Sequence, residues 1–97
     1  MFSLELDTTQ TPHRVRLSGE ARINHASEMA EAFKGIDQTE SLCVDCSQLS
    51  DADVILIQML KALQKECTEM TVYLKDGSPV DHLFERMNLK RHFKLTT

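Results

Sequence analysis

Three acids close together, Asp45, Asp51 and Asp53, are the residues of this chain best placed in sequence to do chemistry. A divalent cation is the first chemistry to test. Their spacing fits no calcium-binding loop of the twelve-residue type, and the central glycine of such a loop is missing. Asp51 and Asp53 read more simply as acids at the start of a helix, where they favour the positive end of its dipole. Cys43 and Cys46 stand at C-x-x-C spacing but within a strand, where residues three apart point to opposite faces. That geometry excludes a redox or zinc pair. His13, His25, His82 and His92 are scattered, and no H-x-x-x-H, glycine-rich phosphate loop or G-x-S-x-G is present. The residues point away from an enzyme and call for no metal or cofactor.

The elements that must carry these residues follow from periodicity. Phe2, Leu4 and Leu6 alternate with polar residues, as do Val15 and Leu17 after the turn at Thr11-Pro12-His13. This is an antiparallel hairpin ending at Gly19. Asn24 caps a predicted helix with Ala26, Met29, Ala30 and Phe33 on one face, stopped by Gly35. Leu42-Cys43-Val44 reads as a short strand buried on both faces, followed by a polar loop. Ser50-x-x-Asp53 resembles a capping box opening a helix to about Cys67. A strand at Met70–Leu74 follows, then a helix announced by Ser78, Pro79 and Asp81. Val80, Leu83, Phe84 and Met87 form its apolar stripe, Asn88 its left-handed end, and Phe93 and Leu95 a last strand. The expected fold is α/β: a mixed sheet with an N-terminal antiparallel hairpin and about three helices packed on it, residues 1–97 forming a single domain.

On a wheel of about 100° per residue, Leu56, Met59, Leu60, Leu63 and Cys67 of the central helix face the sheet. Gln58, Lys61 and Lys65 lie opposite. Val54 falls on that wet side, with Ile55 and Ile57 on the flanks; an apolar residue there is either part of a contact surface or, together with Ile57, tucked under neighbouring loops.

A net charge of −4 over 97 residues argues against non-specific nucleic-acid binding, although Arg86, Lys90, Arg91 and Lys94 cluster locally. No run approaches the roughly 20 apolar residues of a membrane span, and the acidic N-terminus is no signal peptide. Three cysteines without a secretion signal read as free thiols. The expected location is the cytoplasm.

Val15-Arg16-Leu17-Ser18-Gly19-Glu20 is similar to the opening motif of the STAS family, whose members include bacterial anti-sigma factor antagonists. Leu42-Cys43-Val44-Asp45-Cys46-Ser47-Gln48-Leu49 resembles its central strand and loop. Ser78-Pro79-Val80 through Leu83-Phe84, then Met87-Asn88-Leu89, resembles its closing helix. Three motifs in family order and spacing cover nearly the whole chain. The family commonly places Asp-Ser-Ser-Gly or Asp-Thr-Ala-Gly at the start of the central helix, where a partner kinase phosphorylates the hydroxyl.

Aligned without gaps, Asp53 matches the Asp of that motif, Val54 and Ile55 the small residues, and Leu56 the Gly. The resemblance then implies a docking surface that has lost its phosphoacceptor. A shift by two residues would instead make Asp53 a fixed negative charge at the acceptor position, at the expense of matching Ile57, Met59 and Leu60 to buried positions. The implied function is a non-enzymatic regulatory module that binds a protein partner through Asp51, Asp53, Val54, Ile55, Gln58 and Lys61. By resemblance the partner is a histidine-kinase-like anti-sigma factor. The alternatives are an ABC ATPase of a lipid-transport system, a chemotaxis signalling protein, or a second copy of the chain.

Overall fold

The hairpin alternation is realised as β1 (Phe2–Asp7) paired antiparallel with β2 (His13–Ala21), Leu4 opposite Leu17. The computed structural model describes residues 2–9, 12–36, 41–67 and 69–96, so Thr11 of the predicted turn lies outside the described residues. Parallel strands β3 (Leu42–Ala52), β4 (Met70–Tyr73) and β5 (Lys94–Thr96) complete a sheet in the order β1-β2-β3-β4-β5. Helices α1 (Ala26–Lys34), α2 (Val54–Glu66) and α3 (Pro79–Arg86) are the crossovers between successive parallel strands. Right-handed crossovers that always advance the same way put all three helices on one side of the sheet.

Burial agrees with this one-sided arrangement. Val15, Leu17, Val44, Cys46 and Val72 are fully buried beneath the helices, whereas Glu5, Arg14, Arg16 and Gln48 are exposed on the other face. The expectation that Leu42-Cys43-Val44 is buried on both faces is therefore corrected. Leu42 and Val44 are buried and Cys43 only half so. Cys46 faces the helices, where burial pushes its thiol up to about 12. The two sulfurs thus lie on opposite faces of β3.

The polar loop expected after Val44 is also corrected: β3 continues through it to Ala52. Two register shifts make this possible, each setting one extra β3 residue against β2. Arg16 pairs with Asp45 but Ser18 with Gln48, and Gly19 pairs with Leu49 but Glu20 with Asp51. Such bulges let polar residues persist in a strand without breaking its pairing. Asp45, only 7% exposed, spans the first bulge by accepting the Ser47 N–H at 2.9 Å. Gly19, at φ +83°, sits at the second, a conformation that glycine adopts without a Cβ penalty. This is why β2 runs past Gly19 to Ala21 instead of ending there.

The first and last helices differ in how well their ends were signalled. The predicted cap Asn24 lies within a 3-10 turn (Ile23–His25), and α1 starts after His25 with no side-chain cap. The α3 signals hold: Ser78 Oγ accepts the Asp81 N–H, Pro79 occupies the first turn, and Asn88 has φ +56°. Phe84 is fully buried and meets Phe93 at a centroid distance of 5.4 Å. Met87, expected on the apolar stripe, is 40% exposed because α3 ends at Arg86 and the chain turns away.

Asp81 fastens this region by accepting from Gly77 N–H at 3.0 Å and pairing with Lys90 at 2.8 Å. These contacts hold its carboxyl below the ordinary Asp value and raise the Lys90 ammonium above its own. A carboxyl lowered in the folded state contributes stability that is present above its unfolded value and lost as the pH falls through its folded one. The urea midpoint is therefore expected to fall as the pH drops below about 4. Asp81→Asn, followed by urea titration across that range, should flatten the acid limb; an unchanged limb would remove Asp81 from this role.

Candidate functional site

The site is built where β2 and β3 end side by side. Their last pair is Ala21 and Ala52, and Asp53 N–H continues the ladder to the Ala21 carbonyl at 3.1 Å. Asp53 is then the single residue between β3 and α2. Its Oδ1 accepts the Ile55 N–H at 3.0 Å, an N-cap that satisfies one orphan donor of the helix. Its Oδ2 accepts the Ile23 N–H at 2.8 Å from the turn that leads into α1. One carboxylate thus ties two helix entries together.

The predicted capping box is corrected by the same geometry. Ser50 lies in β3 and its hydroxyl donates to the Gly19 carbonyl at 3.1 Å, so the cap is supplied by Asp53 itself. Asp51, read from sequence as a helix-start acid, also belongs to β3 and pairs with Arg22 at 2.7 Å. Both partners are half exposed, so this pair contributes little stability, on the order of 0.2–1 kcal/mol.

The clamp displays aliphatic surface. Val54 is 47% exposed and Ile23, held by the same carboxylate, is 64% exposed. Ile55 is half-buried against the core, and Gln58 and Lys61 are exposed further along α2. Ile57, expected on a flank, is buried with Leu56 and Leu60. The structure therefore brings Asp51, Asp53, Val54 and Ile55 together at one corner, with Gln58 and Lys61 leading away from it.

Ile23 and Arg22 were not singled out by the sequence reading. Ile23 shares the period of Ala26, Ala30 and Phe33 but stands just ahead of the predicted cap Asn24, and an aliphatic at that position, outside the helix, was the available signal. His25 closes the corner, its ring 3.3 Å from a Glu28 oxygen and 3.8 Å from one of Glu20.

The corner can do little covalent chemistry. Val54 and Ile55 offer no hydroxyl, and both Asp53 oxygens already accept backbone N–H groups. Among the described residues no group of three or more His, Cys, Asp and Glu side chains is placed to hold a metal ion. No helix of the described residues is long and apolar enough to cross a membrane. What the corner presents is an aliphatic pair framed by charge.

A sequential five-strand mixed sheet with helices on one side, and a central helix capped by an Asp at the strand end, define a STAS-type α/β domain. The family model described as "Mlab, STAS domain" matches residues 4–96, and the chain belongs to the STAS family. Among solved structures, it is similar to an anti-sigma factor antagonist from Mycobacterium paratuberculosis, with a TM-score of 0.82 at 16% identity. That match covers 98% of this chain and 85% of the other, and at such identity it bears on the fold. No curated protein matches the chain significantly in sequence.

Proposed function

We propose that the chain is a non-enzymatic regulatory module that binds a protein partner through the Ile23–Val54 corner and the outward face of α2. The observation that carries this reading is the pair of exposed aliphatics clamped by Asp53. Single exposed aliphatics are ordinary, but two on segments tied to one carboxylate and rimmed by charge resemble the anchor of an interface. Family membership and the likeness to an anti-sigma factor antagonist support a protein partner, with a histidine-kinase-like anti-sigma factor as the preferred class.

Binding through this corner is independent of phosphate at the family's usual position, because Val54 and Ile55 stand where the gapless alignment places the acceptor. The position of Asp53 as helix cap favours that alignment over the one shifted by two residues, since both of its oxygens are engaged by backbone.

Val54→Asp tests the reading. At an exposed position it should change stability by no more than about 0.5 kcal/mol, checked by urea unfolding. In capture from source-cell extract, a partner retained by the natural chain should be lost with this variant. An anti-sigma kinase among the lost proteins supports the preferred class; an ABC ATPase or a chemotaxis protein moves the module to those assemblies. Identical capture by both forms would remove the corner from the interface. Incubation with the captured kinase and ATP should leave the intact mass unchanged, and phosphate on Ser47 or Ser50 would overturn phosphate independence.

A further inference from the structure

We infer that the outward stripe of α2 ends in a cationic seat for an acidic segment of the protein partner. The inference rests on the reading of this face as a docking surface and adds the chemistry of what docks. At about 100° per residue, Val54, Gln58, Lys61 and Lys65 fall within about 60° of one another, a straight stripe roughly 16 Å long. All four are exposed.

A second element joins the stripe at its far end. Gln64 Nε2 donates to the His92 carbonyl at 3.1 Å, which fastens the turn after α3 beside the C-terminal half of α2. Exposed Arg91 and His92 are thereby brought to the flank of Lys61 and Lys65. The neighbouring cations are already engaged: Lys90 pairs with Asp81 at 2.8 Å and Lys94 with Glu69 at 2.6 Å. Lys61, Lys65 and Arg91 form no ion pair among the described residues.

The placement runs against the overall charge. Residues 1–60 hold four Lys and Arg against ten Asp and Glu, whereas residues 61–97 hold seven against five. An acidic partner is therefore steered to the α2 end and repelled from the rest of the molecule. A nucleic acid or an anionic membrane would meet at this seat three cations, Lys61, Lys65 and Arg91, with no Phe, Tyr or Trp directly beside them in sequence, on a chain of net charge −4. The continuity of the stripe with the Ile23–Val54 corner favours a protein segment, which can place an apolar side chain at one end and carboxylates at the other.

The probe is a synthetic peptide with a Leu anchor followed by a Glu-rich tail, titrated into the 15N-labelled full chain. Amide shifts are expected on α2 and on residues 89–92, with affinity weakening as salt is raised. The triple variant Lys61→Glu, Lys65→Glu, Arg91→Glu, all at exposed positions, should bind about tenfold or more weakly. Shifts confined to other surfaces, no shifts at millimolar peptide, or a triple variant within about twofold of the natural chain would overturn the inference. Tighter binding to phosphatidylglycerol vesicles or a DNA duplex, abolished in the triple variant, would also overturn the protein segment as occupant. If Val54→Asp weakens partner capture and the triple variant does not, the docking corner stands and only the cationic seat fails; the reverse result leaves the seat and removes the corner.

Discussion

Phe84→Ala should lower the free energy of unfolding by about 3–5 kcal/mol, the usual range for removing a buried aromatic ring. Phe84 is fully buried, packs its ring against that of Phe93 at a tilt of 46°, and accepts at its carbonyl the Leu89 N–H that turns the chain out of α3. Its loss leaves a cavity between α3 and the start of β5 that neither rigid element can close. Against the roughly 5–15 kcal/mol typical of a whole domain, this is enough to unfold a large fraction of the protein on mild heating. Urea denaturation followed by circular dichroism measures it. A loss below about 1.5 kcal/mol would mean that α3 is not seated on the sheet as described. Phe93→Leu alone should be milder, and its combination with Phe84→Ala should be less than additive because the two rings share one contact.

Asp53→Ala is the second large effect, with an expected loss of about 2–3 kcal/mol. The helix cap accounts for about 0.5–2 kcal/mol of this, and the bond to Ile23 adds the value of a second charged acceptor. Asp53→Asn should fall between the two, because its amide nitrogen cannot accept from whichever N–H it faces. The functional loss should exceed the stability loss, since the Ile23 N–H loses its acceptor and the segment that carries Ile23 is no longer fastened to the start of α2. Partner capture at a temperature where the variant remains folded separates the two effects. Full capture by folded Asp53→Ala would show that the clamp is structural only.

Much of the architecture was legible because local signals and tertiary needs coincide. Ser78, Pro79 and Asn88 bracket α3 by backbone rules that operate within a few residues, and the alternation in β1 and β2 is that of a sheet with one wet face. The failures are non-local. Ser47 and Ser50 look like loop residues, yet they belong to β3 because β2 pairs beside them through two bulges. Asn24 has the right chemistry for a cap, but it is wound into the 3-10 turn that Asp53, thirty residues away in sequence, fastens through the Ile23 N–H. At the candidate site the same limit applied: Val54, Gln58 and Lys61 were placed correctly by the helical wheel, while Ile23 came from a different element. Ile57 was drawn inward because α2 is covered on that flank as well as beneath.

The one-sided sheet also sets how the backbone opens. One apolar seam joins helices to strands, and β2, β3 and β4 lie within it, bonded on both edges. Their amides can exchange with deuterium only when that seam parts, so their protection reports global unfolding. β1 and β5 are each bonded along one edge and can peel away individually, without disturbing the seam. The corner at Asp53 joins the ends of two of these protected strands, β2 and β3, so the surface proposed to meet a partner is anchored to the slowest-opening part of the sheet.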